Sequence, residues 1–138
     1  MKRLFIDMDG VLAIISDYER ENWQTVKMAK GRFLVKEVMP NAQEAIKKLS
    51  GHYEMYVLTT FVWNNPDTAV EKKVWLENNF GEVFKQRLIL SHNKGILKGD
   101  YLIDDTTNHG VKDFSGKHIQ FGTEEFPDWN AVLSFLIP

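Results

Sequence analysis

The acidic residues that could do chemistry arrive in two tight groups. Asp7 and Asp9 stand in the run Asp7-Met8-Asp9-Gly10, directly after the apolar stretch Leu4-Phe5-Ile6. Asp104 and Asp105 follow Tyr101-Leu102-Ile103 in the same way. Carboxylates brought together from two strand ends concentrate negative charge, which is costly unless a cation lies among them. Oxygen-only donors with no cysteine in the chain suit a hard cation, and Mg²⁺ is the candidate. Mg²⁺ takes one or two protein carboxylates and leaves its other positions to water and phosphate oxygens, so the expected site invites a phosphate.

Each group also has a plain structural reading. DMDG alone is a polar turn after a strand, Asp104-Asp105 a loop-capping pair, and Thr59-Thr60 ordinary β-branched strand composition. A calcium EF-hand is a poor fit, because Leu12 and Tyr18 stand where its loop needs glycine and glutamate.

The elements that must position these residues follow from periodicity. Leu4–Ile6 reads as a buried strand feeding a loop. Ser16 and Glu19 have capping-box spacing and open a helix with Gly31 as its stop, followed by an extended or irregular stretch from Phe33 to Met39. Ala42, Ala45, Ile46 and Leu49 recur at helical spacing up to Gly51, and 53–60 is a second strand. Thr68 and Glu71 repeat the capping-box spacing at the head of a helix running to Phe80-Gly81. Strands are expected at 88–90, 101–103 and 118–121, and Trp129, Val132, Leu133 and Leu136 mark a closing helix.

Short apolar strands alternating with helices predict an α/β fold, a doubly wound and mostly parallel five-stranded sheet. Ligands of such sheets bind beyond the carboxyl ends of the strands, where Asp7, Asp9, Thr59, Thr60, Asp104 and Asp105 all fall. With 138 residues, no repeat and no linker, a single domain spanning 1–138 is expected. A formal charge of −2 gives no pull on a nucleic-acid polymer. The N-terminal apolar run is too short for a signal peptide and no stretch approaches a membrane span, so the cytoplasm is the expected location.

Taken in order, DMDGVLA, VLTT, Lys94 in SHNKGILKGDYLIDD, and LIDD itself resemble the four-motif signature of the haloacid dehalogenase (HAD) superfamily. EVMPNAQEAIKKL and EKKVWLENNFG bring the chain nearest to the 5′(3′)-deoxyribonucleotidase family. The resemblance implies hydrolysis of a (deoxy)nucleoside monophosphate, with Asp7 as the nucleophile that forms an aspartyl-phosphate. Asp9 would act as general acid and base, its carbonyl also binding Mg²⁺. Gly10 would permit the close turn, and Thr59 and Thr60 would contact phosphoryl oxygens. Lys94 would offset the charge, with Lys98 as a second candidate, and Asp104 and Asp105 would complete the metal site. The alternatives are a HAD phosphatase for another phosphomonoester, such as a sugar phosphate, and a non-catalytic phospho-ligand-binding module.

Two departures from the family pattern concern the substrate end. The insertion after the first motif, a helical cap in the family, is reduced here to about residues 14–39. Ile14 and Ile15 stand where members commonly carry an acidic and an aromatic residue. A cap this short leaves the site open unless a second subunit covers it, so a homodimer is expected. Tyr18, Trp23, Phe33, Phe61 and Trp63 could stack on a base, but packing or a subunit interface is the preferred reading for each. His52, His92, His109 and His118 receive no catalytic role, and Asn108 is placed in the loop that shapes the site.

Overall fold

The computed structural model describes residues 1–138. Its five strands are β1 (Lys2–Ile6), β2 (Tyr53–Thr59), β3 (Leu88–Leu90), β4 (Tyr101–Asp104) and β5 (Lys117–Gln120). They form one sheet in the order β3-β2-β1-β4-β5, with every pairing parallel. The α/β class and the five strands expected from the sequence are therefore present. The helices are α1 (Asp17–Glu21), α2 (Trp23–Val26), α3 (Ala42–Leu49), α4 (Asp67–Phe80) and α5 (Trp129–Leu136).

The central strand β1 pairs with β2 on one side and β4 on the other, Ile6 lying opposite both Val57 and Ile103. Side chains alternate across a pleated strand. Leu4 and Ile6 accordingly enter a large apolar cluster with Ala45, Ile46 and Leu49 of α3, Trp75 and Leu76 of α4, and Trp129 and Val132 of α5. Phe5 points to the opposite face, where Leu58, Leu102, Val111 and Phe114 make a smaller cluster. The three longer helices thus share one face, while the other carries 3₁₀ turns at Lys94–Ile96 and Val111–Asp113.

The strand order reverses between β1 and β4. The connections on either side of that point run to opposite sheet edges and leave a crevice at the carboxyl ends. Asp7 follows β1 and Asp104 ends β4, and the two strands are stitched together there by Asp7 N–H donating to the Ile103 carbonyl at 2.8 Å.

Local structure departs from expectation at the end of one helix and the start of another. The Ser16–Glu19 capping box is present, the hydroxyl accepting from Glu19 N–H at 3.2 Å. The helix it opens nevertheless stops at Glu21 instead of running to Gly31. Asn22 leaves the helical region there, at φ −120° and ψ 28°, and both its backbone N–H and its side-chain amide donate to the Tyr18 carbonyl, at 2.9 and 3.0 Å. The four-residue α2 and a 3₁₀ turn at Arg32–Val35 follow.

The second expected capping box, Thr68 with Glu71, is absent. Helix α4 begins at Asp67, two residues before the start that a Thr68 cap would give, and Thr68 donates to the Asn65 carbonyl at 2.7 Å. The Glu71 carboxylate instead accepts from Gly31 N–H at 3.1 Å and Phe33 N–H at 3.3 Å. Glu71 therefore ties the returning limb of the 14–39 segment to α4.

Candidate active site

At the carboxyl edge of β1 the chain turns sharply. The Met8 carbonyl accepts N–H bonds from Val11, Leu12 and Ala13, and Gly10 takes a left-handed φ of 85°. A β-carbon at Gly10 would collide with the Asp105 carboxylate, so glycine is required for both the backbone angle and the close approach.

Lys94 lies at the start of a 3₁₀ turn and is buried. Its ammonium sits 3.0 Å from Asp7 Oδ1 and 2.6 Å from Asp104 Oδ2. Lys98 is exposed and contributes only its carbonyl, to the Arg3 guanidinium at 2.9 Å, so of the two candidates Lys94 is the one brought to the acids. Burial alone would lower the Lys94 ammonium, but the Asp7 and Asp104 carboxylates hold it above its ordinary value.

One lysine does not neutralise this cluster. Burial pushes Asp7 well above the usual carboxylate range; Lys94 opposes the rise, while Asp104, Asp9 and Asp105 add to it. Asp105 is raised as well, by burial and by the Asp104 charge. Ligand oxygens of Asp7, Asp104 and Asp105 lie within 4.8 Å of one another, and the Asp9 carbonyl accepts no hydrogen bond. Three hard carboxylates brought this close, with ionisation held back at Asp7 and Asp105, fit a divalent cation.

Asp9 has a different environment. Its Oδ1 lies 2.7 Å from Lys36 Nζ and its Oδ2 2.9 Å from Lys72 Nζ. Burial alone would raise this carboxyl, but Lys72 and Lys36 outweigh it and hold Asp9 down to about 2. Lys72 also donates to Thr59 Oγ1 at 3.1 Å and to the Thr60 carbonyl at 2.7 Å, so it links the end of β2 to Asp9. Lys36 in turn lies 3.1 Å from Glu19 Oε2.

A cleft of about 470 Å³ opens beside Asp9, lined by Ile15, Arg20, Trp23, Lys36, Asn108 and His109 among others. Of the aromatics considered for base stacking, Phe33 is buried, its ring lying 5.3 Å from Lys36 Nζ and 5.1 Å from Lys72 Nζ. Trp23 is partly exposed at the cleft, whereas Trp63 is largely exposed beside Phe61 and His92.

A family profile described as 5′ nucleotidase, deoxy (pyrimidine), cytosolic type C protein matches residues 16–126. A provisionally named 5′(3′)-deoxyribonucleotidase of Vibrio phage KVP40 is 38% identical over 141 residues, covering 96% of this chain and 83% of the phage protein. The chain belongs to the 5′(3′)-deoxyribonucleotidase family. The 5′(3′)-deoxyribonucleotidase of Bacillus subtilis is 37% identical over 84 residues, covering 61% of this chain and 48% of its own length. A provisionally named Staphylococcus aureus relative is 37% identical over 91 residues, 49% of its length. The chain thus spans about half the length of these bacterial relatives and most of the phage one.

With the nucleotidase family comes the class of reaction, hydrolysis of a nucleotide phosphomonoester. Three residues beside the expected site, Lys36, Lys72 and Glu19, belong to none of the sequence motifs that mark it. Lys72 had a signal: Thr68, Glu71, Lys72, Trp75 and Leu76 occupy one buried helical stripe, and a lysine there needs a carboxylate partner. Glu19 carries only the signal of a helix cap. Lys36 had no signal, since it lies in an irregular stretch with no period to mark its buried side.

Proposed function

We propose that the chain is a Mg²⁺-dependent phosphatase that releases phosphate from (deoxy)nucleoside monophosphates through an aspartyl-phosphate on Asp7. The observation that carries the reading is the buried Lys94 ammonium held between Asp7 and Asp104 at the strand switch point. Lys94, Thr59 and Thr60 receive the phosphoryl oxygens, with Gly10 allowing the backbone to approach. Asp7 attacks phosphorus as the bond to the leaving oxygen breaks, and Asp9 gives that oxygen its proton. Water then gives a proton to Asp9 and attacks the same phosphorus, so that phosphate leaves and Asp7 is regenerated.

Asp7, Asp104, Asp105 and the Asp9 carbonyl are the groups that would hold Mg²⁺. Bound there, it supplies positive charge that favours ionised Asp7 and meets the charge on the phosphoryl oxygens. Asp9 is ionised in the ligand-free site, the form that activates water. An arriving phosphate dianion competes for Lys72 and so eases proton uptake by Asp9 for the first step.

Residues 14–39 are read as the reduced cap of a single domain, and the 470 Å³ cleft beside Asp9 as the space for the leaving nucleoside. The cleft favours a nucleoside over a bare sugar. Retention of both Asp7 and Asp9 argues against a module that only binds, because binding needs neither nucleophile nor acid. We extend the reading to a cytoplasmic homodimer in which the exposed Tyr18, Met28, Leu34 and Val35 of the cap face a second copy. Light scattering after size exclusion tests that extension, and a monomer at micromolar concentration would refute it.

A panel of deoxynucleoside, ribonucleoside and sugar monophosphates, assayed with and without Mg²⁺, tests the main reading. Metal-dependent turnover concentrated on nucleoside monophosphates is expected. Turnover of sugar phosphates alone would favour the other phosphatase, and binding without hydrolysis would defeat both.

A further inference from the structure

Asp9 is gripped through both of its oxygens, and the two grips come from different parts of the chain. The Lys72 grip comes from α4 and is anchored on the end of β2. The Lys36 grip comes from the returning limb of the 14–39 segment and is anchored on Glu19 of α1. Glu19 is itself held by the Ser16 cap, so the first helix of the segment, Lys36 and Asp9 form one buried chain of contacts.

The lysine is unusually constrained. The side chains of Lys36 and Glu19 are only 2% and 5% exposed, and at the wall of the cleft beside Asp9 their charged ends are engaged with each other and with Asp9. The Lys36 carbonyl accepts from the buried Trp75 indole at 2.8 Å, so α4 fixes its backbone. The Phe33 ring packs against the ammonium. With Asp9 and Lys72 the pair makes a charge-balanced quartet of two carboxylates and two ammoniums. Nothing in phosphate binding needs Lys36, because Lys94, Thr59 and Lys72 already stand at the phosphoryl end. Its one contact with the reactive groups is Asp9 Oδ1.

We propose that Lys36, seated on Glu19, is a positioning residue that fixes the orientation of the Asp9 carboxylate toward the leaving oxygen and so couples the 14–39 segment to leaving-group departure. With Oδ1 held on the cap side, the side chain presents a defined oxygen to the ester. Without Lys36 the carboxylate is free to rotate about its Cα–Cβ and Cβ–Cγ bonds and swings toward Lys72, and the proton path to the leaving oxygen lengthens. Positioning by about an ångström is enough to change a rate by orders of magnitude. The proposal rests on the phosphatase reading above.

The test compares two esters that differ in their need for an acid. The alkoxide of 2′-deoxyuridine 5′-monophosphate is a poor leaving group and must be protonated as it departs; the phenolate of p-nitrophenyl phosphate is a good one and need not be. Lys36→Met alone strands the buried Glu19 carboxylate, so the paired Glu19→Gln/Lys36→Met variant is measured beside it to keep the interior neutral. For both, kcat on the nucleotide is expected to fall by about a hundredfold, as for loss of a general acid, with KM changed by no more than about threefold. The fall in kcat/KM with p-nitrophenyl phosphate, which reports ester cleavage and not the aspartyl-phosphate hydrolysis that both esters share, is expected to be about tenfold smaller. Lys36→Arg, which keeps the charge, is expected to recover part of the nucleotide rate.

An equal loss of kcat/KM on both esters in the paired variant, with its circular dichroism unchanged, would overturn the proposal, as would an undiminished nucleotide rate. A wild-type chain active on both esters leaves the phosphatase reading standing in either case. A wild-type chain inert toward both would bring down that reading and this inference together.

Discussion

The ammonium of Lys94 lies 3.0 Å from the carboxylate of Asp7 although the two are 87 positions apart in the chain, and both side chains are buried. The contact joins the loop after β1 to the turn that precedes β4, and its 2.6 Å bond to Asp104 joins that turn to the end of β4. A buried ion pair is weak evidence of stability in itself, because desolvation offsets much of the attraction. Losing one partner is another matter. Lys94→Met should abolish turnover and, in metal-free protein, cost roughly 3–5 kcal/mol of unfolding free energy by leaving the carboxylates without their cation. Urea denaturation checks this; an unchanged midpoint would mean that the cluster is relieved in another way.

Asp7→Asn should reduce turnover of the preferred nucleotide to below about a thousandth of wild type while the chain remains folded. The amide removes the proposed nucleophile and also removes a buried carboxyl whose ionisation is already disfavoured. Steady-state assays with circular dichroism test both halves. Substantial activity in this variant would rule out a covalent intermediate on Asp7.

Chelation of divalent metal should stop turnover, and restoring Mg²⁺ should return it. Because three carboxylates converge in the folded chain only, Mg²⁺ at about a hundred times its Kd should add about 2.7 kcal/mol to stability. A thermal-shift titration reads this directly. Asp105→Asn should shrink the Mg²⁺-induced shift, and a titration with no shift in wild type would exclude the cluster as a metal site.

Gly10→Ala should destabilise the protein by roughly 1–3 kcal/mol, since its φ of 85° is unfavourable for alanine. Its β-carbon would also displace the Asp105 carboxylate, so Mg²⁺ affinity should fall together with stability. Calorimetry with and without Mg²⁺ separates the two effects; a variant as stable and as metal-responsive as wild type would contradict the close approach.

The acid limb of stability should carry the signature of Asp9. Its folded value of about 2 lies below the ordinary 3.8, so its contribution is present above about pH 4 and is lost as pH falls toward 2. The size is roughly 2 kcal/mol. Asp7 has the opposite sign: its folded value is raised, so its contribution is present below 3.8 and is lost as pH rises through that raised value. In metal-free protein, the difference between wild-type and Asp9→Asn stabilities should therefore narrow as pH falls from about 4 to 2. A constant difference across that range would contradict the double lysine grip.

By itself the sequence determined the parallel α/β sheet and the place of each acid. Runs such as Leu4–Ile6 and Tyr101–Ile103 are short, apolar and end on Asp, and these are local properties that periodicity and composition report. The choice of Lys94 over Lys98 was also within reach, because Lys94 closely follows the third strand. What only the tertiary structure decided is the company of Asp9. Ser16–Glu19 and Thr68–Glu71 have the same spacing, yet the first is a cap and the second is not. Glu71 meets Gly31 and Phe33 across the fold, and only folding brings them there. Lys36 and Lys72 likewise reach Asp9 from opposite sides because the 14–39 segment returns against α4, where the Trp75 indole holds the Lys36 carbonyl. Charge pairs of this kind depend on distance through space, which residue spacing along the chain does not encode.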